Sequence, residues 1–344
     1  MSASPNLFGS SSIESSADSS ALRAAGQSAR DTDPIGLDIA GAESRIAQYI
    51  RTTPVLAVDD DALPGVKWFK CEYMQEGGSF KLRGAFNRLL ATMETGELDP
   101  KIGVVAASGG NAGLAHAIAA KALGVPAHIF VHEAAPKTKV DAIRSTGAVL
   151  HQIGSDPGEA MDAALSHARE TGAVFCHPYD QSDIVAGAGT IATEMLQQVD
   201  GPIDTIVVAV GGGGLMAGIA AAVQGTRVVG VEPESAQALH AALAAERPVD
   251  VRVGGIAADS LGARRVGDIA FAIAHAGDVS SVLVSDDAII RARSWLWTHY
   301  RIVVEHGAAA AVAAIQSGAY TPAPGERISI VLCGANTDVS DLSA

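Results

Sequence analysis

Thr205-Ile206-Val207-Val208-Ala209-Val210-Gly211-Gly212-Gly213-Gly214-Leu215 is an apolar, β-branched run that breaks into four glycines and then into an Ala-rich segment. An apolar run without polar alternation reads as a strand covered on both faces. The glycines make a sharp turn, and residues 215–223 open a helix. Gly103-Val104-Val105-Ala106-Ala107-Ser108-Gly109-Gly110-Asn111-Ala112-Gly113 has the same order of strand, glycine turn and helix start. Outward from these two stretches, further strands are expected at 66–69, 127–131, 148–152, 227–231, 281–284 and 328–332, with the quoted pair at 103–106 and 205–210. Helices are expected at 39–50, 81–95, 113–123, 161–171, 183–198, 215–223, 286–300 and 308–316. Strands alternating with helical segments define an α/β protein with mainly parallel sheet. No internal repeat or long linker interrupts the pattern, so two domains, if present, are closely interleaved.

Composition removes several classes. The chain has 344 residues, 48% of them hydrophobic, with 37 glycines and three cysteines, which excludes a disordered chain and a disulfide scaffold. The uncharged runs 102–120 and 205–226 are long enough to span a membrane. Their polar and glycine-rich interiors make poor spanning helices, so no membrane role is expected. Lys and Arg total 24 against 38 Asp and Glu, a net charge of −14, and no basic stripe interleaved with aromatics points to nucleic acid. Cys71, Cys176 and Cys333 are too widely spaced for a zinc set, and their odd number fits a reducing compartment. Residues 1–34 are Ser-rich without the basic start and apolar core of a signal peptide. They are expected to form a disordered tail on a cytoplasmic protein.

Glycine turns at the carboxyl ends of strands are where open α/β sheets bind ligands. Their backbone lets a ligand approach closely, and free N–H groups at the next helix start attract phosphate or carboxylate. Two such turns point to a phosphate and a second acid group, although the same turns also serve as bare connections. A competing reading fits the second turn. Gly212-x-Gly214-x-x-Ala217 followed by Glu232 has the spacing of a dinucleotide fingerprint, which would make the chain a nicotinamide-dependent dehydrogenase. That reading leaves the first turn and the next motif unexplained. In Lys70-Cys-Glu-Tyr-Met-Gln-Glu-Gly-Gly-Ser-Phe-Lys81-Leu-Arg-Gly-Ala85 a lysine stands between Phe80 and Leu82 at a helix start. Burial and a positive helix end favour the neutral amine that attacks an aldehyde; a lysine at such a place can also be an ordinary surface residue.

Ser79-Phe80-Lys81-x-Arg83-Gly84-Ala85 resembles the pyridoxal-phosphate lysine motif of the threonine and serine dehydratases, which are tryptophan-synthase-β-like, fold type II enzymes. The resemblance extends over about residues 35–340, with its marks in the family's order. Ser108-Gly109-Gly110-Asn111 resembles the loop that holds the substrate carboxylate and sets an Asn beside the cofactor's phenolic oxygen. His177-Pro-Tyr-Asp180 with Ala186-Gly-Ala-Gly-Thr190 is similar to the segment leading into the main helix of the large domain. Gly211, Gly212, Gly213, Gly214 and Leu215 look like the phosphate cup, Glu305-His-Gly-Ala like the segment beside the ring, and Cys333-Gly-Ala-Asn336 like the segment whose first residue faces the pyridine nitrogen. The resemblance implies pyridoxal 5'-phosphate as cofactor, held by Lys81, Phe80, Asn111, residues 211–215, Glu305 and Cys333. It places substrate against Ser108, Gly109, Asn111 and Ala112. It also implies a large cofactor domain (35–102 and 178–344), a small carboxylate-binding domain (103–177) and a homodimer. By the residues alone, Cys333 is equally a small buried hydrophobe and Glu305 equally a surface acid.

The resemblance makes Lys81 both the cofactor's Schiff-base partner and the base on the substrate α-proton, and it implies elimination of a β-hydroxyl to give a 2-keto acid and ammonia. A Cys rather than an acid at the ring nitrogen leaves a moderate electron sink, which suits prompt loss of hydroxide, with the bound phosphate as the nearest acid. Some positions depart from relatives. Serine racemases carry a second serine where this chain has Gly109, which disfavours racemisation. Ala112 replaces a common His. Members that hold a cation use a Glu at Glu232 and an Asp where this chain has Ala238, so no metal is expected. Ala258-Asp259-Ser260-Leu261 replaces Ala-Asp-Gly-Leu on the substrate side. The chain ends six residues after Asp338, so no C-terminal regulatory domain is expected. The reading is a dehydratase of L-threonine or L-serine. A racemase or β-replacement enzyme, a dehydratase of 3-hydroxyaspartate or 3-phenylserine, and an idle binding protein are the alternatives.

Overall fold

In the computed structural model, residues 36–135, 137–277 and 279–342 are described; the expected Ser-rich tail 1–34 lies outside them. The elements run α1 (Ile39–Ile46), β1 (Val55–Ala57), β2 (Val66–Lys70), α2 (Lys81–Glu94), β3 (Val104–Ala107), α3 (Asn111–Leu123), β4 (Ala127–Val131), α4 (Lys137–Ser145), β5 (Val149–Gln152) and α5 (Pro157–Thr171). They continue β6 (Val174–Cys176), α6 (Ser182–Gln198), β7 (Thr205–Ala209), α7 (Gly214–Ala222), β8 (Arg227–Pro233), α8 (Ala238–Ala244), α9 (Ala258–Leu261), α10 (Asp268–Ala276), β9 (Val279–Val284), α11 (Asp286–Tyr300), α12 (His306–Gln316) and β10 (Ile328–Val331).

Two sheets form. One has six strands in the order β1-β2-β10-β7-β8-β9, the other four in the order β5-β4-β3-β6. All pairings are parallel except β1 with β2. The two quoted runs become β7 and β3, each interior to its sheet and buried at every position. That is why they carry no polar alternation. The apolar runs at 148–152 and 281–284 would by the same argument be covered on both faces, but β5 and β9 are not. Both are edge strands and only partly buried. Each glycine turn leaves the carboxyl end of its strand and delivers a helix N-terminus there.

The helices that carry the candidate site pack at glycines. A Cβ on Gly84 of α2 would lie 2.7 Å from the carbonyl of Ile184, and one on Gly187 of α6 would lie 2.7 Å from the carbonyl of Arg83. Between α6 and α7 the same holds for Gly189 and the carbonyl of Gly218, at 2.8 Å. These contacts explain the glycines of the Ala186–Thr190 segment as a helix seam. The α2 face opposite α6 joins a single core, in which Leu82, Ala85, Phe86 and Leu89 pack with Val104 and Ala106 of β3 and Ile129 of β4. The helix bearing Lys81 thus packs with the four-stranded layer as well as with α6. Among the described residues no helix is long and apolar enough to cross a membrane.

Candidate active site

Parallel neighbours β2 and β10 pair from Val66 opposite Ile328, through a register shift between Ile328 and Ser329, to Lys70 opposite Val331, so the chain leaves both strands at the same place. The loops then stay stitched. The Tyr73 amide donates to the Leu332 carbonyl (2.9 Å), Phe80 N–H to the Cys333 carbonyl (3.0 Å) and Ala335 N–H to the Gly78 carbonyl (2.9 Å). Lys81 is the first residue of α2, after an N-cap position without a side-chain cap. Its Nζ donates to the Pro178 carbonyl at 2.8 Å and lies 4.9 Å from the centre of the Phe80 ring. Burial brings the ammonium pKa down to about 8, against the opposing pull of Cys333 and Glu305. A substantial fraction of the amine is therefore neutral near physiological pH, the state that attacks a carbonyl carbon.

Cys333 is buried, and burial pushes its thiol well above the ordinary range, so it stays neutral. Glu305 is also buried, at 3% exposure. Burial raises its carboxyl to about 7, with the Asn111 hydrogen bond opposing. Asn111, first residue of α3, donates from Nδ2 to both oxygens of Glu305, at 2.9 and 3.0 Å. Glu305 is thus a buried acid rather than a surface one, and Asn111 and Glu305 are brought together from positions far apart in the chain.

The carboxylate-type loop follows β3. Ser108 Oγ accepts from Gly110 N–H at 3.2 Å, Ala112 is buried, and α3 begins with no side-chain cap. A Cβ on Gly109 would lie 3.0 Å from Ala135 Cβ. The other turn opens α7, again with no side-chain cap, and Gly213 there has φ 89°, a left-handed conformation that favours glycine. A Cβ on Gly212 would overlap the Tyr179 ring, one on Gly213 would lie 2.5 Å from Ala270 Cβ, and one on Gly214 would lie 2.6 Å from the Tyr179 carbonyl. Leu215 is buried beneath the turn. The segment Pro178-Tyr179 therefore touches Lys81 on one side and the glycine cup on the other. The α9 segment borders three parts of the site: the Asp259 carbonyl lies 3.7 Å from a Cβ on Gly110, Ser260 Oγ 2.5 Å from one on Gly307, and Leu261 Cα 3.1 Å from one on Gly211.

Asn336, Asp259, His177 and Asp180 stand within motifs quoted from the sequence, which gave their side chains no role, and Lys139 was missed altogether. Asn336 Nδ2 donates to Asn111 Oδ1 (2.9 Å) and to the Gly77 carbonyl (2.7 Å). Lys139 of α4 pairs with Asp259 at 2.7 Å. His177 accepts from Tyr179 and Asp180 amides through Nδ1, and Asp180 accepts from Asp268 and Ile269 amides, which fixes the turn over the cup. The motif His177–Asp180 was visible in sequence; its side-chain work was not. Glu232, the acid of the dinucleotide spacing, is buried, and its carboxylate takes the amides of Leu239 and His240 at 2.7 Å each. That occupies it with the start of α8.

Two glycine turns with uncapped helix starts and a neutral buried lysine between them fit a phosphate, a carbonyl carbon to be captured, and a second acid. The neutral Cys333 thiol fits an unprotonated ring nitrogen. Such a set of groups suits an aldehyde cofactor that carries a phosphate, together with an acidic substrate. A family model described as "Pyridoxal-phosphate dependent enzyme" matches residues 46–334, and the chain belongs to that family. It is 36% identical over 310 residues to a phenylserine dehydratase of Ralstonia pickettii, covering 88% of this chain and 93% of that one. An L-threonine ammonia-lyase of Thermotoga maritima is 32% identical over 309 residues, 88% of this chain and 76% of that one. The solved structure of maize serine racemase superposes with a TM-score of 0.83 at 33% identity, covering 89% of this chain and 94% of that one. The chain is a pyridoxal-phosphate-dependent fold type II enzyme of the threonine ammonia-lyase and serine racemase family.

Proposed function

We propose that this enzyme is a dehydratase that converts L-threonine or L-serine to a 2-keto acid and ammonia. The observation that carries the reading is Gly109. Racemisation needs a proton carrier on each face of the substrate α-carbon, whereas elimination needs one. The residue beside Ser108 has no side chain, and a Cβ there would press within 3.0 Å of Ala135 and 3.6 Å of Val131. Pyridoxal phosphate, when bound, supplies the sink for electrons released at the α-carbon. Lys81 holds the cofactor and, once free, takes the α-proton; its lowered pKa suits it to do so near neutral pH. The uncapped start of α3 with Ser108 and Asn111 orients the substrate carboxylate, and the uncapped start of α7 with Gly211–Leu215 holds the phosphate. Phe80, Asn111, Glu305 and Cys333 complete the cofactor's surroundings, and Gly109 and Ala112 lie along the loop that faces the substrate.

A second reading, dehydration of 3-phenylserine, is favoured by the 36% identity to the R. pickettii enzyme. The purified chain is expected to show a visible cofactor band that is lost on borohydride reduction and absent in Lys81→Ala. A colourless chain that takes up no added cofactor would overturn the proposal. Keto-acid release from threonine, serine, 3-phenylserine and 3-hydroxyaspartate then ranks the substrates, and D-serine appearing faster than pyruvate would replace the dehydratase by a racemase. We further propose a cytoplasmic homodimer, checked by light scattering of the loaded enzyme.

A further inference from the structure

Three side chains from distant parts of the chain form one polarised line of hydrogen bonds. It starts at the Gly77 carbonyl, which can only accept. Asn336 Nδ2 donates to it at 2.7 Å and to Asn111 Oδ1 at 2.9 Å, and Asn111 Nδ2 donates to the two Glu305 oxygens at 2.9 and 3.0 Å. Because both hydrogens of the Asn336 amide are spent on acceptors, Asn111 must turn its oxygen toward Asn336 and its nitrogen toward Glu305. The two oxygens of one carboxylate subtend a smaller angle at that nitrogen than its two N–H bonds do. One hydrogen serves both oxygens, and the other stays free for a further acceptor. The surroundings are cut to fit: a Cβ on Gly78 would lie 2.5 Å from Asn336 Oδ1, and one on Gly334 would lie 2.5 Å from Glu305 Oε1.

We infer that Asn336 is a positioning residue that sets which end of the Asn111 amide faces the cofactor, and so keeps an N–H rather than a carbonyl aimed at it. The inference rests on the functional reading above, in which Asn111 lies beside the cofactor. The side-chain amide of Asn336 is spent on Gly77 and Asn111, so its effect on the cofactor runs through Asn111. An isosteric Asn336→Asp replaces the double donor by an acceptor. Once ionised, the new carboxylate draws the Asn111 N–H to itself, which turns Asn111 Oδ1 toward Glu305, whose carboxyl must then carry a proton and donate it. Asn336→Ala removes the constraint without reversing it.

The test compares wild type, Asn336→Ala and Asn336→Asp, each loaded with pyridoxal phosphate. Expected are a displaced visible band and faster cofactor loss on dilution, larger for Asp than for Ala. The kcat is expected to fall by about ten- to a hundredfold, a typical cost of losing a residue that orients a site group, with KM changed much less. A merely structural role predicts that both variants lower the thermal midpoint while the band stays where it is, and that result overturns the inference. If the Asp variant does not fold, an unmoved band and unchanged release rate in the Ala variant overturn it equally. A wild-type chain that takes up no cofactor defeats the functional reading instead, so the two failures are distinguishable.

Discussion

Lys81 gathers the consequences of burial at a single residue. Its pKa near 8 lies below its value of 10.5 in an unfolded chain, so the neutral amine gains on the ammonium as pH rises through 8. Capture of added pyridoxal phosphate by cofactor-free enzyme is expected to accelerate about tenfold per pH unit below that point and level off above it, as stopped-flow absorbance will show. Glu305 shifts the other way, from 4.5 to about 7. An acid that binds its proton more tightly when folded stabilises the fold fully below pH 4.5, and that contribution is lost as pH rises through 7. The stability of cofactor-free enzyme is therefore expected to decline across that window, and Glu305→Gln should flatten the decline. It should not abolish it, because Glu232 is raised to about 7 for the same reason. Denaturant titrations at several pH values measure both. The sequence motif identified Lys81; it could not say that the neighbours Cys333 and Glu305, each more than 200 positions away, pull against burial.

Among the elements, glycine has two uses that composition alone merges. Some glycines form the two strand-to-helix turns and others let α2, α6 and α7 touch backbone to backbone. Gly187→Ala puts a methyl 2.7 Å from the Arg83 carbonyl and from Gly84 Cα. It is expected to cost about 1–3 kcal/mol as an overpacked contact and to loosen Lys81 from the cup, read as a lower urea midpoint and faster cofactor release. Elements with a strong local signal were legible: 127–131 and 286–300 match β4 and α11 residue for residue. The start of α5 came four residues earlier than expected, because Asp156 accepts from the Gly158 and Glu159 amides and Pro157 fits the first turn. The expected helix 39–50 ends at Ile46. Three-residue β1 and β6 escaped reading, as did α4 with its charged Lys137-Thr-Lys start and the short α8, α9 and α10. Most of these pieces are too short for a period to stand out and are held by what packs on them.

Across the molecule, the site rests on a buried ionic cluster that gave no sequence signal. Arg83, two residues after Lys81, pairs with Glu72 at 2.8 and 2.9 Å and with Glu194 at 3.0 Å. Lys70, wholly buried, reaches Glu194, Gln198 and the Thr53 carbonyl, and Thr53 hydrogen-bonds Glu72. The cluster ties β2, α2 and α6 together under the lysine. Removing one partner strands a buried charge, so Glu72→Ala is expected to destabilise the fold by about 3–5 kcal/mol, whereas breaking the exposed pair Lys137 with Asp141 should leave the denaturation midpoint almost unchanged; chemical denaturation compares the two. The sequence by itself determined the α/β class, the two strand-to-helix glycine turns and the lysine between apolar neighbours, because strand burial, turn sterics and helix starts are encoded within a few residues. Only the tertiary structure decided that Asn111 points its nitrogen at Glu305, that Asn336 fixes that choice, and that Lys81 is held partly neutral. Those properties depend on burial and on hydrogen-bond polarity between segments up to 259 positions apart, which no local pattern records.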